Sequence, residues 1–152
     1  MSAKLFDFMG KDHDKLDHMF EECRKLIRDG NGGAQELFSS FRSGLEMHIT
    51  WEEELLFPLY ERETGMHDAG PTAVMRMEHR HIENILEEIG NRLVENQPEE
   101  IADMETELLE TLGSHNQKEE NILYPAIDQL LGEHEKEEVI SRMIKMLPGT
   151  LV

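Results

Sequence analysis

Residues 48–58 read HITWEEELLFP, and residues 115–125 read HNQKEENILYP. Both stretches place a glutamate four residues after the histidine, a second glutamate directly behind it, an apolar run and then a proline. The two copies lie 67 residues apart. A histidine and a glutamate spaced by four residues lie on the same face of an α-helix. Each stretch therefore predicts a helix that presents two metal-ligand side chains on one side.

The repetition extends upstream of these two stretches. Asp12-His13 and Glu78-His79 lie 66 residues apart, at equivalent places in the two halves. We predict a single domain over residues 1–152 with an internal pseudo-twofold repeat, about 4–63 and 71–131. Two copies are too few for a solenoid, so the repetition favours a closed helical bundle.

Glycine and proline clusters divide the chain into helical segments. Breakers occur at 30–33, 65–70 and 96–98, and no stretch alternates in the manner of a β-strand. The predicted helices span residues 4–29, 34–63, 71–95, 99–131 and, for a shorter one, 133–147. The predicted fold is therefore all-α, an up-down-up-down four-helix bundle with a short extra C-terminal helix.

Each of the four long helices carries a histidine at mid-length in an apolar stripe that advances by three or four residues. These histidines are His13, His48, His79 and His115. The stripe of the fourth helix consists of Leu108, Leu112, His115, Glu119 and Ile122. The spacing therefore predicts that polar side chains from all four helices meet in the interior.

Buried imidazoles and carboxylates require a counter-charge, because burying each without a partner costs several kcal/mol. Four histidines with Glu52 and Glu119 exceed the tetrahedral set of one zinc ion, so we predict two ions. One lies between His13 and His48 and the other between His79 and His115, with both glutamates bridging. A solvent-derived oxo or hydroxo bridge completes five donors per ion and leaves an open position. Nitrogen and oxygen donors favour iron, with manganese and zinc as the less favoured metals.

Composition excludes several other classes of protein. Fifteen basic residues against 33 acidic ones give a net charge of −18, which argues against nucleic acid or an anionic membrane as partner. The single cysteine, Cys23, allows neither an intrachain disulfide nor a thiolate cluster. No secretory signal or apolar span is present, so we expect a cytoplasmic protein. No phosphate loop or nucleotide fingerprint occurs.

The chain resembles the hemerythrin-like, HHE cation-binding family over nearly its whole length. The residues that carry the resemblance are Asp12-His13, His48 with Glu52-Glu53 and Leu56-Phe57-Pro58, Glu78-His79, and His115 with Glu119-Glu120 and Leu123-Tyr124-Pro125. The resemblance implies a non-heme di-iron centre inside a four-helix bundle. In hemerythrins proper it also implies reversible dioxygen binding at the one open iron site.

The sequence departs from the oxygen-carrier pattern in two places. Hemerythrins proper have a second histidine four residues after the first on the third helix, where this chain has Glu83 after His79. They also have an aspartate five residues after the fourth-helix histidine, where Glu119 here follows His115 by four. Glu83 is predicted as a terminal metal ligand, which would leave the ion at His13 open. Its alternative role is that of a solvated or outer carboxylate.

Two classes of function follow from this reading. The first is a binding module that takes up dioxygen or a related small gas such as nitric oxide for sensing, storage or transport. The second is an enzyme that turns over peroxide, nitric oxide or ferrous iron. Iron donation for iron–sulfur cluster repair is less favoured, because relatives with that role carry an additional cysteine-bearing N-terminal segment. The sequence predicts neither a redox partner nor an oligomeric state.

Overall fold

The computed structural model describes residues 4–30 and 32–148, and within them the chain forms helices and no strand. The outer ends of the predicted domain, 1–3 and 149–152, lie outside the described residues. The helices are α1, Lys4–Arg28; α2, built from Ala34–Trp51, Glu52–Leu56 and Phe57–Thr64 in succession; α3, Pro71–Val94; α4, built from Pro98–Lys118, Glu119–Leu123 and Tyr124–Leu130; and α5, Glu133–Lys145. The predicted all-α class and five helices are confirmed.

The helix ends follow the breakers in the sequence. Pro71 and Pro98 each occupy the first turn of a helix, where no backbone N–H is needed. Gly65 ends α2 with a φ of +75°, a left-handed conformation that glycine adopts without a Cβ clash. Its N–H donates to the carbonyl of Glu61 at 2.8 Å. The long helices therefore begin and end where the sequence places proline and glycine.

The interior contains two apolar clusters. The first includes Leu16 and Phe20 of α1, Phe41 and Leu45 of α2, Ile82 and Leu86 of α3, and Leu108 and Leu112 of α4. The second includes Met9 of α1, Trp51 and Phe57 of α2, Met75 of α3, Leu123 and Tyr124 of α4, and Val139 and Met143 of α5. On every long helix the buried histidine lies at the boundary between the two clusters, although on α2 Ile49 of the first cluster follows His48. A polar layer is thus enclosed between two hydrocarbon layers.

Helices α2 and α4 each contain one π-helical turn, which begins at the glutamate of the repeated histidine and glutamate spacing. The turns are Glu52–Leu56 and Glu119–Leu123. The N–H of Phe57 donates to the carbonyl of Glu52, and the N–H of Tyr124 donates to that of Glu119, each five residues back. Pro58 and Pro125 follow at once. The wider turn accommodates each proline, which lacks an N–H and would disturb a regular α-helix.

The π-helical turn corrects one predicted position on α4. Ile122 was predicted to face inward but is 60% exposed, whereas its neighbour Leu123 is only 2% exposed. The extra residue in the turn shifts the inward face by one position, so the three-or-four spacing fails after Glu119. Tyr124 is fully buried as a result.

Helix α5 covers the outer end of the second cluster. The indole N–H of Trp51 donates to the carbonyl of Met143 at 3.0 Å. On the same side, the Asp128 carboxylate accepts the backbone N–H groups of Leu5 and Phe6 at 3.3 and 3.2 Å, which stabilises the first turn of α1. Among the described residues, no helix is both long and apolar enough to cross a membrane.

Candidate metal centre

The structure brings six of the seven predicted ligands together as two overlapping groups. One group is His13, His48, Glu52 and Glu119, and the other is His79, His115, Glu52 and Glu119. In each group the candidate ligand atoms all lie within 4.8 Å of one another, and every member is buried. The histidines therefore form the predicted pairs, and the two glutamates belong to both groups.

Each shared glutamate directs its two oxygens toward different histidine pairs. Glu52 Oε2 lies 3.5 Å from His48 Nε2, while Oε1 lies 3.0 Å from His79 Nε2. Glu119 repeats the pattern, with Oε1 3.2 Å from His13 Nε2 and Oε2 3.0 Å from His115 Nε2. A carboxylate with one oxygen in each group has the arrangement of a bridging ligand.

The buried carboxylates and imidazoles of this layer shift one another's pKa values. Burial by itself raises the pKa of Glu52, but the charge of His48 and hydrogen bonds outweigh it and hold that pKa well below its usual range. Burial lowers the pKa of His48, yet Glu52 and Asp12 raise it to about 10. The same opposition brings the pKa of His79 to about 9. Protons on the imidazoles therefore balance the carboxylates when no cation does so.

A further carboxylate contacts the Nδ1 atom of every histidine in the layer. The pairs are His13 with Glu120 at 2.6 Å, His48 with Asp12 at 2.8 Å, His79 with Glu53 at 2.6 Å, and His115 with Glu78 at 2.8 Å. Such a carboxylate accepts a hydrogen bond from Nδ1–H and leaves Nε2 free to bind a metal ion. Histidine ligands in proteins are usually supported in this way. All four Nε2 atoms thus face the interior.

Sequence reasoning found half of these outer carboxylates. Glu53 and Glu120 repeat at matching positions behind Glu52 and Glu119, and this repetition in the sequence favours a structural role or a bond to a ligand imidazole N–H. Asp12 and Glu78 were noticed only as neighbours of His13 and His79 in the chain. In the fold each contacts the histidine of the following helix instead. The repeat of an acid before a histidine was the available signal, but its partner depends on helix packing.

Tyr124 is a site residue that sequence reasoning missed. Its hydroxyl oxygen lies 2.5 Å from Glu52 Oε2 and 2.9 Å from Glu119 Oε1, so its single proton is shared between two acceptor carboxylates. The same oxygen lies 3.1 Å from His48 Nε2 and 3.3 Å from His13 Nε2. Burial and the two carboxylate charges raise the pKa of Tyr124 well above its ordinary value. The phenol is therefore neutral and central to the first group.

The second group has no such hydroxyl. Phe57 occupies the position equivalent to Tyr124, and its ring stacks on that of His79 with centroids 5.7 Å apart. Among the described residues, Glu52 Oε1, Glu119 Oε2 and His79 Nε2 are buried and make no well-aligned hydrogen bond, although Glu52 Oε1 and His79 Nε2 lie 3.0 Å apart. All three belong to the second group. Leaving buried polar atoms unsatisfied is costly, so nitrogen and oxygen donors in this arrangement fit a cation.

Glu83 lies outside both groups. Its side chain is 36% exposed, and its carboxylate pairs with Arg80 on the same helix at 2.9 Å. The structure therefore does not bring Glu83 together with the other six residues, and its role as a terminal ligand stays a prediction beside the alternative of a solvated carboxylate. Arg80 also contacts Glu53 at 2.7 Å, and Lys118 contacts Glu78, so cations flank the outer carboxylates of this half.

Comparison with known proteins gives a family and one curated relative. The sequence model of the hemerythrin HHE cation binding domain matches residues 4–127 and, in a second match, residues 70–146. An iron–sulfur cluster repair protein, YtfE of Edwardsiella ictaluri, is 32% identical over 102 residues. That alignment covers 61% of this chain and 46% of the relative, so the chain matches about half of the relative's length. No solved structure matches the chain significantly.

Proposed function

Because the chain belongs to the hemerythrin family of HHE cation-binding domains, we propose that it holds two iron ions and reversibly binds dioxygen or a related small gas. Sensing, storage and transport are the roles that such binding serves. The observation that carries the proposal is the pair of buried groups that share Glu52 and Glu119. A single domain with two related halves supplies both groups.

The order of the clusters along each helix supports the up-down-up-down bundle. Helices α1 and α3 run from residues of the second cluster to residues of the first, whereas α2 and α4 run from the first to the second. Neighbouring helices in the chain therefore point in opposite directions. This arrangement brings one histidine per helix to the same level, which a two-ion centre requires.

The proposed ligands of the first ion are His13 and His48, and those of the second are His79 and His115. Glu52 and Glu119 serve both ions, since each has one oxygen in each group. Iron in these positions supplies an exchangeable coordination position and the electrons for gas binding. The chain itself supplies fixed imidazoles and an apolar surround on both sides. Such a surround keeps water from a bound small molecule.

The decisive experiment measures metal and spectrum together. Protein purified without chelator should contain two iron ions per chain. After anaerobic reduction, admission of air should produce a visible charge-transfer band that disappears again when oxygen is removed. A site that oxidises at once to a stable ferric form and no longer responds would contradict reversible gas binding while leaving the two-iron site intact.

A second candidate function is turnover of peroxide, nitric oxide or ferrous iron in protection from stress. The named relative, an iron–sulfur cluster repair protein, favours a protective role. The carboxylate-rich ligand set favours it too, because anionic oxygen donors stabilise the ferric state and hence irreversible oxidation. Steady-state assays with peroxide and with nitric oxide separate the candidates. Rates no better than those of free iron would exclude the enzyme.

A further inference from the structure

We propose that the phenol oxygen of Tyr124 is an additional ligand of the ion held by His13 and His48. The inference rests on the proposed two-ion function and names a ligand that the histidine and glutamate pattern does not contain. It makes the two ions chemically different. The first ion gains an oxygen donor of its own, and the second does not.

The position of the hydroxyl carries the proposal. Tyr124 Oη lies between 2.5 and 3.3 Å from one candidate ligand atom of each member of the first group. Donor atoms of one ion lie in contact with one another around it, so an oxygen at contact distance from all four donors is placed as a further donor to the same ion. A phenol whose only role was to orient one carboxylate would need to approach that carboxylate alone.

The backbone fixes this placement. Tyr124 is the residue after the π-helical turn Glu119–Leu123, and its N–H bonds to the carbonyl of Glu119. The side chain is fully buried, with its ring beside that of His13 at a centroid distance of 5.8 Å. The equivalent turn in α2 presents the Phe57 ring to the other histidine pair. The same fold element therefore provides an oxygen on one side and hydrocarbon on the other.

Coordination changes the protonation of the phenol. In the metal-free protein the hydroxyl has one hydrogen bond to donate, and it faces the negative charges of both the Glu52 and the Glu119 carboxylates. When both carboxylates bind cations, that opposing charge is neutralised. The O–H bond then breaks, its electron pair forms the bond from the phenol oxygen to the metal, and the proton leaves to solvent. No oxidant or reductant is required.

The location of the exchangeable position follows. The phenol oxygen would occupy the remaining coordination position of the first ion. The position open to a small gas would then lie on the ion between His79 and His115. This is the opposite of the arrangement expected from Glu83 as a ligand, which would have left the ion at His13 open. Phe57 then forms part of the wall against which the gas binds.

The test uses the ferric, iron-loaded chain and compares wild type with Tyr124→Phe and Tyr60→Phe. The sequence has two tyrosines, so Tyr60, which belongs to neither group, is the matched control. Ferric phenolate gives a visible charge-transfer band with resonance-enhanced ring vibrations. We expect the band and these vibrations in wild type and in Tyr60→Phe, and their complete loss in Tyr124→Phe. Wild type grown with ring-deuterated tyrosine should show shifted ring vibrations.

Three outcomes decide the matter. Full iron content with no phenolate vibrations in wild type would overturn the tyrosine ligand and leave the two-iron function standing. Phenolate signals that persist in Tyr124→Phe would overturn the assignment as well. Absence of bound iron in wild type would instead contradict the proposed function on which the inference rests. Because Tyr60→Phe leaves Tyr124 as the one tyrosine of the sequence, shifted ring vibrations in ring-deuterated Tyr60→Phe would assign the ligand even if Tyr124→Phe misfolded.

Discussion

Glu52→Gln should remove most of the stabilisation that metal confers on the fold. Glutamine has nearly the same shape as glutamate, but it is neutral and binds hard cations weakly. Glu52 directs one oxygen to each histidine pair, at 3.5 Å from His48 and 3.0 Å from His79. The substitution should therefore weaken the binding of both ions and not of one alone.

The size of the effect follows from linkage between binding and folding. An ion present at 100 times its dissociation constant stabilises the folded state by about 2.7 kcal/mol, so two such ions contribute roughly 5 kcal/mol. A chain of this size changes its melting temperature by about 2–4 °C per kcal/mol. Wild type should therefore melt roughly 10–20 °C higher with iron than without, and Glu52→Gln should show only a small part of that difference.

The assay is thermal denaturation with and without metal, together with iron analysis. Taking the difference between the two melting temperatures for each variant cancels any change in the metal-free fold. Glu83→Gln is the matched control, since Glu83 lies outside both groups, and it should keep the wild-type difference and full iron content. Full iron content and an unchanged melting difference in Glu52→Gln would refute the bridging assignment. Loss of iron in Glu83→Gln would restore Glu83 as a ligand.

Three further predictions concern other parts of the centre. Glu53→Gln removes the carboxylate that supports His79 and should weaken the affinity of the second ion about 10–100-fold, measured by competition with a chelator; unchanged affinity would contradict this support. Since the pKa values of His48 and His79 are raised to about 10 and about 9, their protonated forms stabilise the metal-free fold fully below about pH 6.5, and this contribution is lost as the pH rises through both values. The melting temperature of the metal-free protein should fall over that pH range, and it should fall less in His48→Gln than in wild type. An equal fall in both proteins would argue against the ion pairs between these histidines and the glutamates. Ferric wild type should bind azide at a single ion, whereas Tyr124→Phe should bind a second azide by calorimetric titration, and an unchanged stoichiometry would place the open position elsewhere.

The sequence predicted the fold class and the grouping of the histidines because both depend on regular spacing. A repeat of about 100° per residue placed His13, His48, His79 and His115 on buried faces, and the structure buries all four. The internal duplication then indicated which histidines pair. Neither the burial nor the pairing of the histidines requires knowledge of how the helices are rotated relative to one another. The outer carboxylates did require it, and for that reason Asp12 and Glu78 could be noticed but not assigned.

Tyr124 was not predicted as a site residue for a different reason: the spacing was interpreted as that of a uniform α-helix. Five residues of α-helix correspond to a rotation of roughly 140° beyond a full turn, so a residue five positions after Glu119 is expected well away from its face. The π-helical turn adds a residue to that turn and returns Tyr124 to the side of Glu119, with 2.9 Å between their oxygens. The same change turns Ile122 outward. A glutamate followed by an apolar run and a proline six residues later is the signal that both halves share, because the proline cannot donate the backbone hydrogen bond of a regular helix. Beyond a glutamate and a proline with this spacing, the buried face of the helix is therefore shifted by one residue, and the aromatic residue before the proline lies beside the buried histidines.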